Sequence, residues 1–264
     1  MSEPIISFQD WLHTPPGHYL LEWERQQVSS AVTDIFGYHA VQLGVPEMDG
    51  LQANRMPHRW LAEQTSDLQA PCHPAFISDF CALPFPANCL DLVILPHTLE
   101  CSLDAHETLR EVERVLVAEG RVVICGINPL SFWALRQARA SLWMRLGLGR
   151  FLGQSYLPEA QEFIGYWRLR DWLRLLGFEI EVVRFGGYSP AVRTAKWLKR
   201  FAWMERWGAR WWPIFGAVYL VVAVKKVRGL RLMGPAWKAT KVRAGNPVSA
   251  SRQAQDAARR ETDA

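Results

Sequence analysis

Two wholly apolar runs, Leu92-Val93-Ile94-Leu95 and Val122-Val123-Ile124-Cys125, flank a segment in which Leu109, Val112 and Leu116 fall on one helical face. A strand apolar at every position, not at alternate ones, must be covered on both faces. A helix between two such strands makes a parallel βαβ unit. Asp104, with Glu107 three residues on, marks the start of that helix as a capping box, and Glu111, Arg110 and Arg114 are expected on its solvent side. Around this unit the pattern predicts a helix over Gly17–Val32, a strand over His39–Leu43 ending at Gly44, and a strand over Ala75–Ser78. A Trp- and Arg-rich helix from Ser131 to about residue 147 and a helix over Arg168–Leu176 follow, then strands over Phe178–Phe185 and Val218–Val224. Residues 45–68 show little beyond a strand near Arg59–Leu61. The order predicts an α/β fold, a doubly wound Rossmann-like sheet that is mostly parallel with an antiparallel last strand. Ligands of such sheets lie at the carboxyl ends of the strands, where Asp79 and His97 fall.

Charge divides the chain unevenly. The net charge is +4, and the surplus belongs to the second half. Phe132 to Arg150 holds four arginines and no acid, and Arg193 to Arg210 holds six basic residues against Glu205, interleaved with Trp197, Trp203 and Trp207. These two stretches, within 131–165 and 190–213, read as basic insertions or a lid on a domain spanning 1–228, with 229–264 a disordered basic tail. Tryptophan beside lysine and arginine suits an anionic partner, either a membrane surface or nucleic acid. The longest apolar run, Trp211 to Val224, is interrupted by Pro213 and Gly216 and is too short for a membrane span. The N-terminus lacks the layout of a secretory signal. Five cysteines without paired spacing predict neither a disulfide framework nor a metal site, and a reducing, cytoplasmic setting follows.

The stretch Ser78-Asp79-Phe80-Cys81-Ala82-Leu83-Pro84-Phe85-Pro86, the strand opening at Asp91, and Arg114-Val115-Leu116 with Gly120 resemble the cofactor half of class I S-adenosylmethionine-dependent methyltransferases of the type 11 kind. The resemblance is carried by residues 74–130 and is looser outside them. It implies S-adenosylmethionine as cofactor and no metal. Asp79 would accept a hydrogen bond from the adenine amino group, and Phe80, Leu95 and Gly44 would line the pocket. His97, at the methyl-transfer cleft, would be the catalytic base or a lining residue. Glu63 is the local candidate for the ribose hydroxyls. The family's acidic residue and second loop glycine are replaced by Gln42 and Pro46, and proline offers no N–H there. Either Glu47 and Asp49 take over cofactor contacts, or the fold serves as a non-catalytic binding module. Peripheral binding of an anionic membrane or nucleic acid is the third reading. The acceptor is not named by any residue, beyond being small or amphiphilic.

Overall fold

Strands buried along their whole length dictate the architecture of this chain. The computed structural model describes residues 8–64, 74–145, 156–158, 163–192, 194–201 and 203–227. Its elements run α1 (Phe8–Leu12), α2 (Pro15–Val32), β1 (His39–Leu43), β2 (His58–Glu63), β3 (Phe76–Ile77), β4 (Leu90–Pro96), α3 (Thr98–Cys101), α4 (Ala105–Val115) and β5 (Leu116–Ile127). There follow α5 (Phe132–Arg145), α6 (Tyr166–Leu175), β6 (Phe178–Gly186), α7 (Ala195–Arg200), α8 (Trp203–Trp211) and β7 (Val218–Lys225). The seven strands form one sheet in the order β3-β2-β1-β4-β5-β7-β6. Strands β1 to β5 are parallel, and β7 runs antiparallel to both of its neighbours. This is the doubly wound sheet expected, with its reversed last strand. The expected tail at 229–264 and part of the 131–165 insertion lie outside the described residues.

Alternation along the buried strands sends side chains to two cores. Val93 and Leu95 join Leu109 and Val112 of α4 and Leu169 and Leu173 of α6 on one face. Leu92 and Ile94 join Leu21, Val28 and Val32 of α2 on the other. Helix α2 begins two residues before the predicted start, because Pro15 and Pro16 fit a first turn whose N–H groups need no helical partner. Gly17 is required there: a Cβ would lie 2.3 Å from the Trp11 carbonyl oxygen. Helix α4 is capped as the sequence predicts, with Asp104 Oδ1 accepting from the N–H groups of His106 and Glu107 at 3.0 Å each.

The crossover from β1 to β2 departs from the usual pattern. Parallel neighbours are normally joined through a helix. Here the described link holds a single 3₁₀ turn, Pro46–Met48, flanked by left-handed Val45 (φ 47°) and Asp49 (φ 41°). Met48, Leu51 and Met56 fill the space against the sheet. Two left-handed residues four positions apart break any α-helix.

Register fixes which loops share an edge. Gln42 pairs with Ile94 and Pro96 with Cys125, so β1, β4 and β5 end together. Ile127 and Gly186 both pair with Val218, which brings the end of β6 and the start of β7 to that edge. Helices α7 and α8, lying between β6 and β7, are therefore tethered at the carboxyl edge. Asn128 secures it by donating from Nδ2 to the carbonyls of Ile214 and Gly216, at 2.6 and 2.9 Å.

Candidate functional site

The carboxyl end of β1 is built around Gln42. Its amide donates to the carbonyls of Gly44 (3.1 Å) and Val45 (2.8 Å) and accepts from the Gly50 N–H (2.8 Å). A clamp that donates to two carbonyls and accepts from an amide needs a carboxamide; a carboxylate has no proton to give. Gly44 takes φ +78°, and its N–H donates to the Ala62 carbonyl. Pro46 opens the 3₁₀ turn, so the long helix N-terminus that the resemblance implies after this loop is not formed. Arg25 donates to the Glu47 carbonyl, and Glu47 Oε2 is buried without a hydrogen-bond partner. Two clefts flank the turn. One, of about 320 Å³, is lined by Leu12, His18, Arg25 and Glu47 among others. The other, of about 370 Å³, is lined by Gln42, Asp49, Arg59 and Trp60 among others.

Across from this loop stands the turn after β3. Asp79 is exposed, and its Oδ1 accepts from the Cys81 N–H at 3.0 Å, bracing the turn. The Phe80 ring is 5 % exposed and packs on Gly44, 3.7 Å from where a Cβ would stand. Thr98, just beyond β4, meets the same glycine and donates its hydroxyl proton to the Leu43 carbonyl. The Leu83–Phe85 turn is held from α4: Glu111 accepts from the Leu83 N–H at 2.7 Å, and Arg114 donates to the Phe85 carbonyl at 2.9 Å. The two side chains also pair with each other, and the Arg114 hydrogen bond lowers the Glu111 pKa. Glu111 and Arg114 were expected to face solvent; Arg114 is 40 % exposed, Glu111 only 13 %, and together they clamp the Leu-Pro-Phe turn.

His97 lies at the strand end, as expected, with a backbone in the left-handed region (φ 53°). Its ring is 1 % exposed and lies between two buried carboxylates, Nε2 at 2.8 Å from Glu24 and Nδ1 at 2.9 Å from Glu100. Glu100 also accepts from the Ile127 N–H, and the Phe8 ring covers the imidazole at 4.8 Å between centroids. Burial works to lower the His97 pKa, but the charges and hydrogen bonds of Glu24 and Glu100 outweigh it and raise it to about 10. Burial raises the Glu100 pKa, opposed by His97. The raised pKa favours the doubly protonated ring, which donates from both nitrogens. With both nitrogens engaged by these carboxylates and Phe8 over the ring, neither nitrogen is free to meet a substrate proton.

The structure therefore brings Gly44 and Phe80 together with Thr98, and sets Asp79 on the adjoining exposed turn. Leu95 is fully buried in the α4-side core. His97 turns toward α1 and α2. Glu63 is buried at the end of β2. Sequence reasoning missed Glu24, which is 0 % exposed on α2. The signal was present: it stands four residues after Leu20 and four before Val28, an acid inside the apolar stripe. Among the described residues no cluster of His, Cys, Asp and Glu could hold a metal ion, and no helix is long and apolar enough to cross a membrane.

Sheet order, reversed last strand and carboxyl-edge loops are those of the class I methyltransferase fold. A methyltransferase domain family model matches residues 56–124, which span β2 to β5. Along 95 % of both chains it is 26 % identical to the uncharacterized protein YafS of Escherichia coli strain K12. An S-adenosylmethionine-dependent methyltransferase from Thermotoga maritima aligns at TM-score 0.53 and 16 % identity, covering 83 % of this chain and 94 % of that one. The structure of a complex with the Haloferax volcanii Trm112 methyltransferase activator contains a chain aligning at TM-score 0.54 and 16 % identity, covering 84 % and 96 %. At such identities the structural likeness speaks to the fold.

Proposed function

We propose that the chain is a cytoplasmic S-adenosylmethionine-dependent methyltransferase with a small or amphiphilic acceptor. The observation that carries this reading is the meeting of Gly44, Phe80 and Thr98 at the carboxyl edge, beside the exposed Asp79 carboxylate. The cofactor's groups fit these residues. Gly44 lets the backbone be approached closely, and one Asp79 oxygen is engaged by Cys81, leaving the carboxylate able to accept from an adenine amino group. Glu63 is the residue for ribose hydroxyls. Bound S-adenosylmethionine supplies an electrophilic methyl group, and the protein's own task is orientation and exclusion of water. His97 serves that task at one remove, fixing α2 to the end of β4 through Glu24 and Glu100.

A second reading, a methyltransferase-like binding module, draws on the helix-free crossover after β1 and on Pro46. Calorimetric titration of the full chain with S-adenosylmethionine and its demethylated product separates the two. The enzyme reading expects saturable binding, weakened at least about tenfold by Asp79→Ala, the worth of one hydrogen bond to a charged group. No binding by the native chain, with binding gained in Pro46→Gly, would establish the module instead.

A further inference from the structure

Helix α8 presents an outward face that the methyl-transfer reading does not use. Trp203, Trp207 and Trp211 recur every four residues and are 51, 59 and 65 % exposed. Residues at that spacing form one ridge along a helix. Arg206 and Arg210 fall about 60° to one side of it, both exposed, and no carboxylate among the described residues is recorded against either. The single acid of the helix, Glu205, points inward, accepting from the Tyr188 N–H at 3.0 Å and from the Tyr19 hydroxyl. Gly208 seats the helix against Tyr188, where a Cβ would come within 2.3 Å of the ring. The inward face is thus fully used, and the outward one is aromatic and purely cationic.

Exposed apolar side chains also follow the helix in sequence. Phe215 stacks on Phe132 of α5 at 5.7 Å, and both are more than two-fifths exposed. Ile214 and Leu135 are exposed beside them in sequence. These aliphatic side chains offer nothing to a nucleic-acid base but gain free energy on entering an acyl layer. Tryptophan is the side chain suited to the headgroup boundary, with an apolar body and an N–H that stays wet.

We infer that this face docks the protein on an anionic lipid bilayer surface, α8 lying in the interface plane with its tryptophans in the headgroup layer and Arg206 and Arg210 on lipid phosphates. Because α8 is tethered at the carboxyl edge of the sheet, the docked face borders the end of the fold where the candidate site lies. Taken with the methyl-transfer reading, on which this further step rests, the acceptor is an amphiphile drawn from that surface.

Flotation of the full chain with vesicles tests the docking. Binding is expected to vesicles of phosphatidylcholine mixed with phosphatidylglycerol, to be weak with phosphatidylcholine alone, and to fall with added salt. Arg206→Gln and Arg210→Gln should each weaken binding about fivefold, the worth of one cation near an anionic surface. Trp207→Ala and Trp211→Ala should weaken it further and leave the salt dependence of what remains unchanged. Circular dichroism checks folding, and titration with S-adenosylmethionine on the same variants reads the cofactor separately, so the two readings fail independently. Equal binding to both vesicle types, binding that survives all four substitutions, or retention on an RNA homopolymer with vesicles ignored would overturn the inference. So would a dimer in solution that Trp207→Ala converts to monomer.

Discussion

Replacing His97 with glutamine would show what a buried imidazolium does for this fold. Glutamine keeps a donor but removes the charge, leaving Glu24 and Glu100 facing each other without a cation, both at 1 % exposure or less. Breaking a buried ion pair by removing one partner costs about 3–5 kcal/mol, a large share of the roughly 5–15 kcal/mol that holds a domain folded. The pH dependence is the sharper test. In the native chain the folded-state pKa of about 10 lies above the ordinary 6.5. The folded state thus keeps a proton that the unfolded state sheds. This contribution is complete below 6.5 and is lost as pH rises through about 10, with a ceiling of about 5 kcal/mol. In His97→Gln that alkaline decline is absent. Its place is taken by a decline at lower pH, where the buried carboxylates must ionise without a partner. Urea unfolding of both proteins, followed by far-ultraviolet circular dichroism from pH 5 to 10, measures both effects. A variant less than about 1 kcal/mol weaker than wild type, or one that keeps the alkaline decline, would refute the charged-bridge argument.

Three further perturbations probe other joints. Gln42→Glu installs the acid that the resemblance implies, yet should destabilise the chain by about 2–4 kcal/mol in denaturant titration, because two carbonyls lose their donor and meet a carboxylate. Lys225→Met should cost about 2–4 kcal/mol in the same assay. Its ammonium donates to the carbonyls of Glu113 (2.6 Å) and Leu116 (2.9 Å) and pairs with the Glu113 carboxylate. Arg114→Ala should leave the fold intact and speed amide hydrogen exchange across residues 80–86, where the clamp on the Leu-Pro-Phe turn is released.

The sheet was readable because β4, β7 and the second half of β5 are apolar at nearly every position, and α4 is capped by Asp104. The turn after β3 was readable for a similar reason: Leu83-Pro84-Phe85 has few conformations open to it. What stayed hidden depends on long-range partners. Glu24 and His97 are 73 residues apart: the apolar stripe marks Glu24 as turned inward, but nothing local names the imidazole it meets. The same holds for Glu111 and Arg114, whose helical spacing reads as a solvent pair until the turn they grip is in place. Pro46 announced an altered loop, but that Met48, Leu51 and Met56 would stand in for a helix could not be seen from a polar stretch without periodicity. The tryptophans of α8 were visible; which of them point outward was decided by Gly208 and Glu205, inward anchors that only the fold reveals.

The position of β7 has a consequence for biosynthesis. This strand is buried from end to end and separates β5 from β6, yet it is made after both. Until residue 225 has left the ribosome, each of those earlier strands presents a raw border with unanswered amide and carbonyl groups, the kind that recruits a neighbour's strand. The nascent chain therefore passes through an interval in which its sheet is split in two.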